Sequence, residues 1–297
     1  MKKLAIGYFA DGPWSHKALS RLIADQSVEI KFICARHDKP DESLKVAAEK
    51  HGIVFFTHPR INSPEFFHSI VPYKCDLFVS MSFNQIFKTN LINLPPLKVV
   101  NCHAGKLPFY RGRNVLNWVL INDESEFGIT VHYIDEGIDT GDIILQRTFK
   151  IDDTDNYATL LLKAYEECSL ILYDSIKLIQ AGTVQTKKQS DLDPIGSYCT
   201  SRIEGDELLD WNRTSREVFN FVRAISDPGP QALTHLHGKE VKINAVELLS
   251  EAKSYKGISG SVVGIEPGAF LVKTLDSLVR VTQWTGCALP KIGDRFK

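Results

Sequence analysis

The chain has 297 residues, a formal net charge of -1 and a sequence pI near 6.8. This balance excludes a bulk attraction to nucleic acid or to an anionic membrane surface. The six cysteines are scattered and no pair has CxxC spacing. We therefore predict neither a metal site nor a disulfide framework, and we expect a reducing, cytoplasmic setting.

The first half alternates short apolar runs with amphipathic segments. The opening "MKKLAIGYFADGPW" is interpreted as a first strand entering a turn, because its apolar run is too short for a signal peptide. Helices are predicted between the strands, one of them closed by Gly52 and another capped by Ser63. Four further strands are predicted at "VEIKFICA", "IVFFT", "CDLFVSMS" and "LKVVNCH". This alternation predicts an α/β fold, with a Rossmann-like, mostly parallel sheet covered by helices on both faces.

The second half begins with two strand-like runs, "GITVHYI" and "DIILQRTF", and a long helix from Asn156 to about Gln180. A polar stretch with several Gly and Pro residues follows and is predicted to be a linker. Beyond it, one helix precedes several short strands separated by Gly, Pro and Asp, which is typical of a small β-barrel, here OB-like. We predict a first domain over residues 1–182, a linker over 183–204 and a β-barrel domain over 205–297. No stretch approaches the roughly 20 apolar residues that span a bilayer.

The most informative polar stretch is "NCHAGKLPFYRGRN", which follows a predicted strand. In extended backbone, Asn101 and His103 project to the same side, while Cys102 points into the fold. An amide can donate to a developing oxyanion, and an imidazole can move protons near neutral pH. On these two residues alone, a turn that only satisfies backbone groups is the more common outcome.

A second polar stretch, "DEGIDTGD", places Asp135, Asp139 and Asp142 between two predicted strands. Alone it is typical of a turn, and it lacks the regular ligand pattern of a calcium loop. Combined with Asn101 and His103, one carboxylate would complete a set suited to acyl transfer to an amine. The amide would stabilise the oxyanion, the imidazole would accept a proton, and the carboxylate would orient the imidazole and a water.

These residues resemble the folate-dependent formyltransferases. The matching pattern is Asn-x-His, then "LPFYRG" over 107–112, then Asp139 at the family's spacing. The resemblance implies a formyltransferase catalytic domain that uses 10-formyltetrahydrofolate, with Asn101, His103 and Asp139 as the catalytic residues. The chain departs from the family's common "H-x-S-L-L-P", because Gly105 and Lys106 replace its Ser and Leu, and the sequence offers no reason for either.

The resemblance also implies which residues bind the folate. The segment "SFNQIF" stands where the family holds the pteridine ring, mainly through backbone groups and apolar walls. The residues expected to bind the folate, together with Asp139, are Phe83, Gln85, Ile86 and Phe87.

Two amine acceptors compete within the resemblance. "YRGRNVLNWVLIND" and "WNRTSREVFNFVRAISDPGP" resemble the formyltransferase domain of the UDP-4-amino-4-deoxy-L-arabinose enzyme, which favours a nucleotide-diphosphate-linked amino sugar used for surface polysaccharide such as O-antigen. The alternative is methionyl-tRNA, but residues 203–297 carry twelve basic and twelve acidic side chains, whereas a tRNA-binding barrel should be basic. A non-catalytic folate- or nucleotide-binding module is a third hypothesis. The similar sugar enzymes suggest a homodimer.

The positions of further residues predict which side chains bind the acceptor substrate and which are structural. Trp14 and Ser15 follow the first strand and are expected to line the substrate side, and the guanidinium groups of Arg111 and Arg113 suit a diphosphate. The alternative for either arginine is packing on Tyr110 or pairing with a carboxylate. Three other side chains are predicted to be structural or at most weak candidates: His132 on a strand, Trp211 in the barrel, and Arg223 on a helix surface.

Overall fold

The computed structural model describes residues 3–297, and these form two compact units. The first unit contains the residues up to 112 together with 127–149 and 162–199, and the second contains 113–126, 150–161 and 200–297. The helices are α1 (Pro13–Ala24), α2 (Glu42–His51), α3 (Pro64–Ile70), α4 (Thr89–Ile92), α5 (Val115–Ile121), α6 (Tyr157–Ala181), α7 (Gln189–Leu192) and α8 (Ser215–Ile225). The strands are β1 (Leu4–Ala10), β2 (Val28–Ala35), β3 (Val54–Thr57), β4 (Leu77–Met81), β5 (Val99–His103), β6 (Arg111–Gly112), β7 (Glu126–Tyr133), β8 (Ile143–Lys150), β9 (Tyr198–Cys199), β10 (Ala232–Leu236), β11 (Lys239–Leu248), β12 (Val262–Glu266), β13 (Ala269–Lys273) and β14 (Leu278–Thr285).

The first unit is built on a seven-stranded sheet in the order β3-β2-β1-β4-β5-β7-β8. The five strands from β3 to β5 run parallel, and β7 joins β5 antiparallel. Strands β1 and β4 are buried along their whole length, as expected for parallel strands covered on both faces by helices. The predicted mostly parallel α/β fold is confirmed.

Two predicted helix boundaries are confirmed by their local geometry. Gly52 ends α2 in the left-handed region at φ 64°, where a side chain would be strained, and its N–H caps the helix. The Ser63 hydroxyl accepts from the Phe66 N–H at the start of α3, and Pro64 follows it inside the first turn.

The second unit carries a five-stranded antiparallel sheet in the order β10-β11-β14-β13-β12. The end of the chain bridges both edge regions, Phe296 to Leu236 and Arg295 to Ser261, and so draws the sheet towards closure. Trp211 is buried at 4%, and its Nε1 donates to Thr234 Oγ1 at 2.9 Å, so its predicted packing role is confirmed.

The segment predicted as a linker is structured over most of its length. Lys187 bridges Ile143 at the end of the main sheet, and β9 pairs in parallel with β6. We call residues 187–199 the strap. The division of the chain into two units differs from the predicted domain boundaries at residues 182 and 205. The strap belongs to the first unit, and residues 113–126 and 150–161 belong to the second. No helix within residues 3–297 is long and apolar enough to cross a bilayer.

Candidate active site

The site lies where β5 ends, beyond the carboxyl edge of the parallel strands, which is where open α/β sheets bind ligands. Strand β5 places Asn101 opposite His132 of β7 and His103 opposite Thr130. Asn101 and His103 therefore share one face, as their spacing predicts, while the Cys102 thiol faces inward and donates to the Cys168 carbonyl.

The two nitrogens of His103 have different partners. Nε2 lies 2.7 Å from the carbonyl oxygen of Tyr110, and because a carbonyl only accepts, Nε2 carries a proton. Nδ1 lies 3.6 Å from Asp139 Oδ2. In the neutral imidazole, Nδ1 is thus the nitrogen that can accept a proton, with a carboxylate beside it to stabilise the resulting cation.

Asp139 is held in an unusual backbone conformation. Its φ of 54° lies in the left-handed region, which costs a non-glycine residue about 1 kcal/mol. The Gly112 N–H donates to Asp139 Oδ2 at 2.9 Å. Burial alone would raise the pKa of the Asp139 carboxyl, but His103, His132 and the Gly112 N–H outweigh it and hold that pKa well below its usual range. Asp139 is therefore a carboxylate at neutral pH.

Asn101 is oriented by a residue that the sequence analysis placed among the structural ones. Its Nδ2 lies 3.3 Å from His132 Nε2 and 3.4 Å from Asp139 Oδ1. The His132 ring is buried, its Nδ1 donates to the Tyr133 carbonyl at 2.7 Å, and Nε2 faces Asp139 Oδ1 at 3.5 Å. The contact between His132 and Asn101 could have been predicted from strand pairing. Once β5 and β7 are adjacent, residues 130 and 132 lie on the same face of the sheet as residues 101 and 103.

Gly105 acquires a steric explanation, whereas the structure gives none for a lysine at position 106. A Cβ on Gly105 would lie 2.5 Å from both His103 Nε2 and the Tyr110 oxygen, so only glycine leaves room for their hydrogen bond in this geometry. Lys106 passes close over Gly128, where an added Cβ would lie 2.5 Å from the Lys106 Cβ. Thr130 then fastens the loop by donating to the Gly105 carbonyl at 2.6 Å.

The predicted folate loop is fixed by side-chain contacts at its base. Gln85 accepts from the Ile61 N–H at 3.0 Å and donates to the His58 carbonyl at 2.7 Å. Phe83 and Phe87 pack on Phe9 of β1, at centroid distances of 5.5 and 4.9 Å.

The outer side of the same loop is open. Asn62 donates to the Ile86 carbonyl at 2.8 Å and accepts from the Lys88 N–H at 2.9 Å, which leaves the Ile86 side chain 60% exposed. An exposed apolar side chain on a hydrogen-bonded loop could pack against the flat face of a ring system. Of the residues predicted for folate, Ile86 presents the most open apolar surface.

The two predicted substrate residues on α1 are placed differently from each other. Trp14 is partly buried and meets the Tyr165 ring edge-on, with centroids 4.8 Å apart. Ser15 is fully buried, its hydroxyl donates to the Gly12 carbonyl at 2.8 Å, and its own carbonyl accepts from the Tyr8 hydroxyl. Ser15 thus lies in the first turn of α1 and does not face solvent, whereas part of Trp14 is accessible.

Arg111 and Arg113 also differ. Arg111 is only 7% exposed, and its Nε and Nη2 donate to Gln189 Oε1 at 3.0 and 2.8 Å, while Nη1 donates to the Ile195 carbonyl. Its guanidinium also lies over the Tyr198 ring. Arg111 therefore uses its donors within the protein. Arg113 belongs to the second unit and is exposed, and its guanidinium has no partner among residues 3–297.

Arg223 is not the helix-surface residue that the sequence predicted. It is 6% exposed, its Nε donates to Asn220, and its Nη1 donates to the carbonyls of Asp152 and Asp155. The apolar stripe of α8 did not reveal this, because the carbonyls that accept from Arg223 come from a distant part of the chain.

An amide, an imidazole and a buried carboxylate lie together at one sheet edge, an arrangement that suits group transfer. The profile of the formyl transferase family matches residues 2–174, and that of the formyl transferase C-terminal domain matches residues 203–287. The chain therefore belongs to the formyl transferase family, and it is a formyl-transferring enzyme. This assignment agrees with the expected folate-borne formyl donor.

Characterised relatives include methionyl-tRNA formyltransferases. That of Geotalea daltonii is 33% identical over 258 residues, which cover 83% of this chain and 79% of that protein. That of Geobacter metallireducens is 30% identical over 292 residues, which cover 93% and 91%.

Similar solved structures include a sugar formyltransferase and an N-formyltransferase bound to a sugar nucleotide. One is the sugar 3N-formyltransferase WlaRD, crystallised with dTDP and 5-N-formyl-THF, at TM-score 0.72, 23% identity and coverage of 97% and 99% of the two chains. The other is an N-formyltransferase from Helicobacter canadensis in complex with folinic acid and dTDP-3-aminofucose, at TM-score 0.70, 21% identity and coverage of 96% and 100%. At these identities the likeness establishes a shared fold.

Proposed function

We propose that this chain transfers the formyl group of 10-formyltetrahydrofolate to the primary amine of a nucleotide-diphosphate-linked amino sugar, in the synthesis of a surface polysaccharide. The observation that carries the choice of acceptor is the charge balance of residues 203–297, which have twelve basic and twelve acidic side chains. The observation behind the residue roles is the convergence of Asn101, His103 and Asp139.

The roles follow from the geometry at the end of β5. Asn101 Nδ2 lies 3.3 Å from His132 Nε2 and 3.4 Å from Asp139 Oδ1, and in this proposal its amide donates to the oxyanion that forms when the amine attacks the formyl carbon. His103 Nδ1 accepts the proton that the amine loses, and the Asp139 carboxylate stabilises the imidazolium. The intermediate then collapses, the carbon–nitrogen bond to the folate breaks, and the proton passes to the departing tetrahydrofolate nitrogen.

Several basic side chains of the second unit are paired within that unit, and residues 203–297 carry as many acidic as basic side chains, twelve of each. Arg216 lies 2.5 Å from Asp123, and Arg280 lies 2.7 Å from Glu266. Lys273 is 1% exposed and donates to backbone carbonyls. A protein that binds tRNA needs a surplus of cations to neutralise phosphates, so this balance of charges favours a small anionic acceptor.

Arg113 is the phosphate-binding residue of this proposal. It follows directly on the 107–112 motif in the sequence, it is exposed, and its guanidinium has no partner among residues 3–297. A planar guanidinium donates to two phosphate oxygens at once, which suits a diphosphate better than a lysine would.

A methionyl-tRNA acceptor is the second candidate, because characterised relatives at 30–33% identity over most of this chain have that name. It predicts formylation of methionyl-tRNA with a steep loss of rate as the salt concentration rises.

The two acceptors are distinguished by one assay. The protein is incubated with 10-formyltetrahydrofolate and, separately, with UDP-, GDP- and dTDP-linked amino sugars and with methionyl-tRNA, and products are followed by mass. We expect one formyl group on a sugar nucleotide and release of tetrahydrofolate. Formylation of methionyl-tRNA alone would contradict the sugar proposal, and folate binding without any turnover would indicate a non-catalytic module.

The variant Arg113→Ala tests whether this residue binds the phosphates of the sugar nucleotide. We expect the KM for the sugar nucleotide to rise roughly tenfold, because one charge-assisted phosphate contact is lost, while kcat changes little. Arg295→Ala, which removes another exposed arginine in the C-terminal barrel, is the matched control and should leave both constants unchanged. An unchanged KM in Arg113→Ala would remove this residue from the phosphate site.

A further inference from the structure

The strap contributes one buried amide to the surroundings of Asp139. Gln189 is only 3% exposed, although it stands in a polar stretch that otherwise faces solvent. Its Oε1 accepts two bonds from Arg111, at 3.0 and 2.8 Å. Its Nε2 donates to the carbonyls of Asp139 and Gly141, at 2.7 and 2.8 Å. Both N–H groups and the oxygen of this amide are therefore fully used.

The two segments that Gln189 joins are the ones that set the position of the carboxylate. Arg111 precedes Gly112, whose N–H holds Asp139 Oδ2 at 2.9 Å. On the other side, Asp139 has a left-handed backbone at φ 54°. A Cβ on Gly141 would lie 1.9 Å from the Tyr133 carbonyl oxygen, so this turn has little room to shift. Gln189 bonds the carbonyl of the strained residue directly.

We propose that Gln189 is a positioning residue, which acts through the backbone of Asp139 to keep its carboxylate against His103 and Asn101 during formyl transfer. The proposal rests on the role proposed for Asp139 above. It assigns a function in the reaction to the segment that the sequence presents as a linker.

Other contacts attach the strap to the first unit without Gln189. The Ser197 N–H donates to the Pro108 carbonyl at 3.2 Å, the Arg111 N–H donates to the Ser197 carbonyl at 3.0 Å, and Lys187 exchanges backbone bonds with Ile143. Loss of the Gln189 donor should therefore move Asp139 without releasing the strap. This separation makes the positioning role testable apart from a purely structural one.

Gln189→Glu is the sharpest variant. A carboxylate at this position still accepts from Arg111 but can no longer donate to the carbonyls of Asp139 and Gly141. We expect kcat to fall roughly 10- to 100-fold, as for other small displacements of a catalytic group, while the KM of both substrates stays within about twofold. Resistance of the strap to limited proteolysis should match the wild type. Gln189→Met, which carries no buried charge, tests the same loss if the Glu variant does not fold.

The control is Gln185→Glu, the same change at an exposed position four residues earlier, which should behave as wild type. The ¹⁵N shifts of the His103 and His132 imidazoles give a readout that needs no turnover, and we expect them to change in Gln189→Glu and not in Gln185→Glu. If no amine is formylated by the wild type, the proposed function fails while these shifts still test the positioning. Wild-type kcat and wild-type imidazole shifts in Gln189→Glu and Gln189→Met would overturn the proposal, as would a loss of kcat that appears only with proteolysis of the strap.

Discussion

The end of β5 and the strap both contact Asp139, yet they differ in how the chain builds them. At the end of β5, Asn101 and His103 are two residues apart on one strand, so local geometry alone puts them on one face. The strap reaches Asp139 through Gln189, 50 residues further along the chain. Side chains that share a face of one strand can thus be predicted locally, whereas the residues that hold Asp139 depend on contacts between distant parts of the chain.

The largest expected effect concerns Asp139 itself. In Asp139→Asn the carboxylate that stabilises the His103 cation is lost, and we expect kcat to fall about a thousandfold. Asp142→Asn makes the same change three residues away, at a side chain without a partner among residues 3–297, and should retain activity. The measurement is the rate of tetrahydrofolate release. Equal rates in the two variants would mean that Asp139 has no special place in the reaction.

A smaller loss is expected from Gly105→Ala. The added Cβ would lie 2.5 Å from His103 Nε2 and from the Tyr110 oxygen, so one of them must move. We expect kcat to drop roughly tenfold or more.

Gly182→Ala is the control for Gly105→Ala, because Gly182 has φ +67° at the end of α6 and nothing within 4 Å of an added Cβ. It should lower the free energy of unfolding by about 1 kcal/mol and leave kcat unchanged. Full activity in Gly105→Ala would show that the His103–Tyr110 contact is dispensable.

The pH dependence of stability tests the electrostatics of Asp139. Its pKa is lower in the folded protein than the unfolded value of about 3.9, so its contribution is present above that value and is lost as the pH falls below it. Between pH 5 and pH 3 the wild type should lose about 1 kcal/mol more free energy of unfolding than Asp139→Asn, measured by urea unfolding. Parallel curves for the two proteins would contradict the lowered pKa.

The smallest effect on activity is expected away from both regions. Thr214 caps α8 in a reciprocal capping box with Glu217. Thr214→Ala should lower the free energy of unfolding by about 1 kcal/mol, seen as a lower thermal midpoint, with kcat unchanged. Loss of activity at a temperature where this variant is fully folded would mean that α8 contributes to the reaction beyond its effect on stability.

Much of the fold was predictable because it depends on periodic patterns. The alternation of apolar strands and amphipathic helices predicted the parallel sheet, and the two-residue spacing predicted that Asn101 and His103 share a face. The resemblance to the formyltransferases implied that Asp139 lies with them. The contact of His132 with Asn101 and Asp139 was not predicted, because it depends on which strand pairs with β5. The burial of Gln189, Arg111 and Arg223 was not predicted either, because a polar side chain gives no periodic signal of the distant groups that bury it.

The most direct test is a double-mutant cycle between Gln189→Glu and Asp139→Asn, read out as kcat for formyl transfer. If the strap acts through the Asp139 carboxylate, adding Gln189→Glu to Asp139→Asn should change the residual rate by less than about twofold. If kcat of the double variant falls by the product of the two single-variant losses, this coupling is contradicted. The strap would then affect the reaction independently of Asp139.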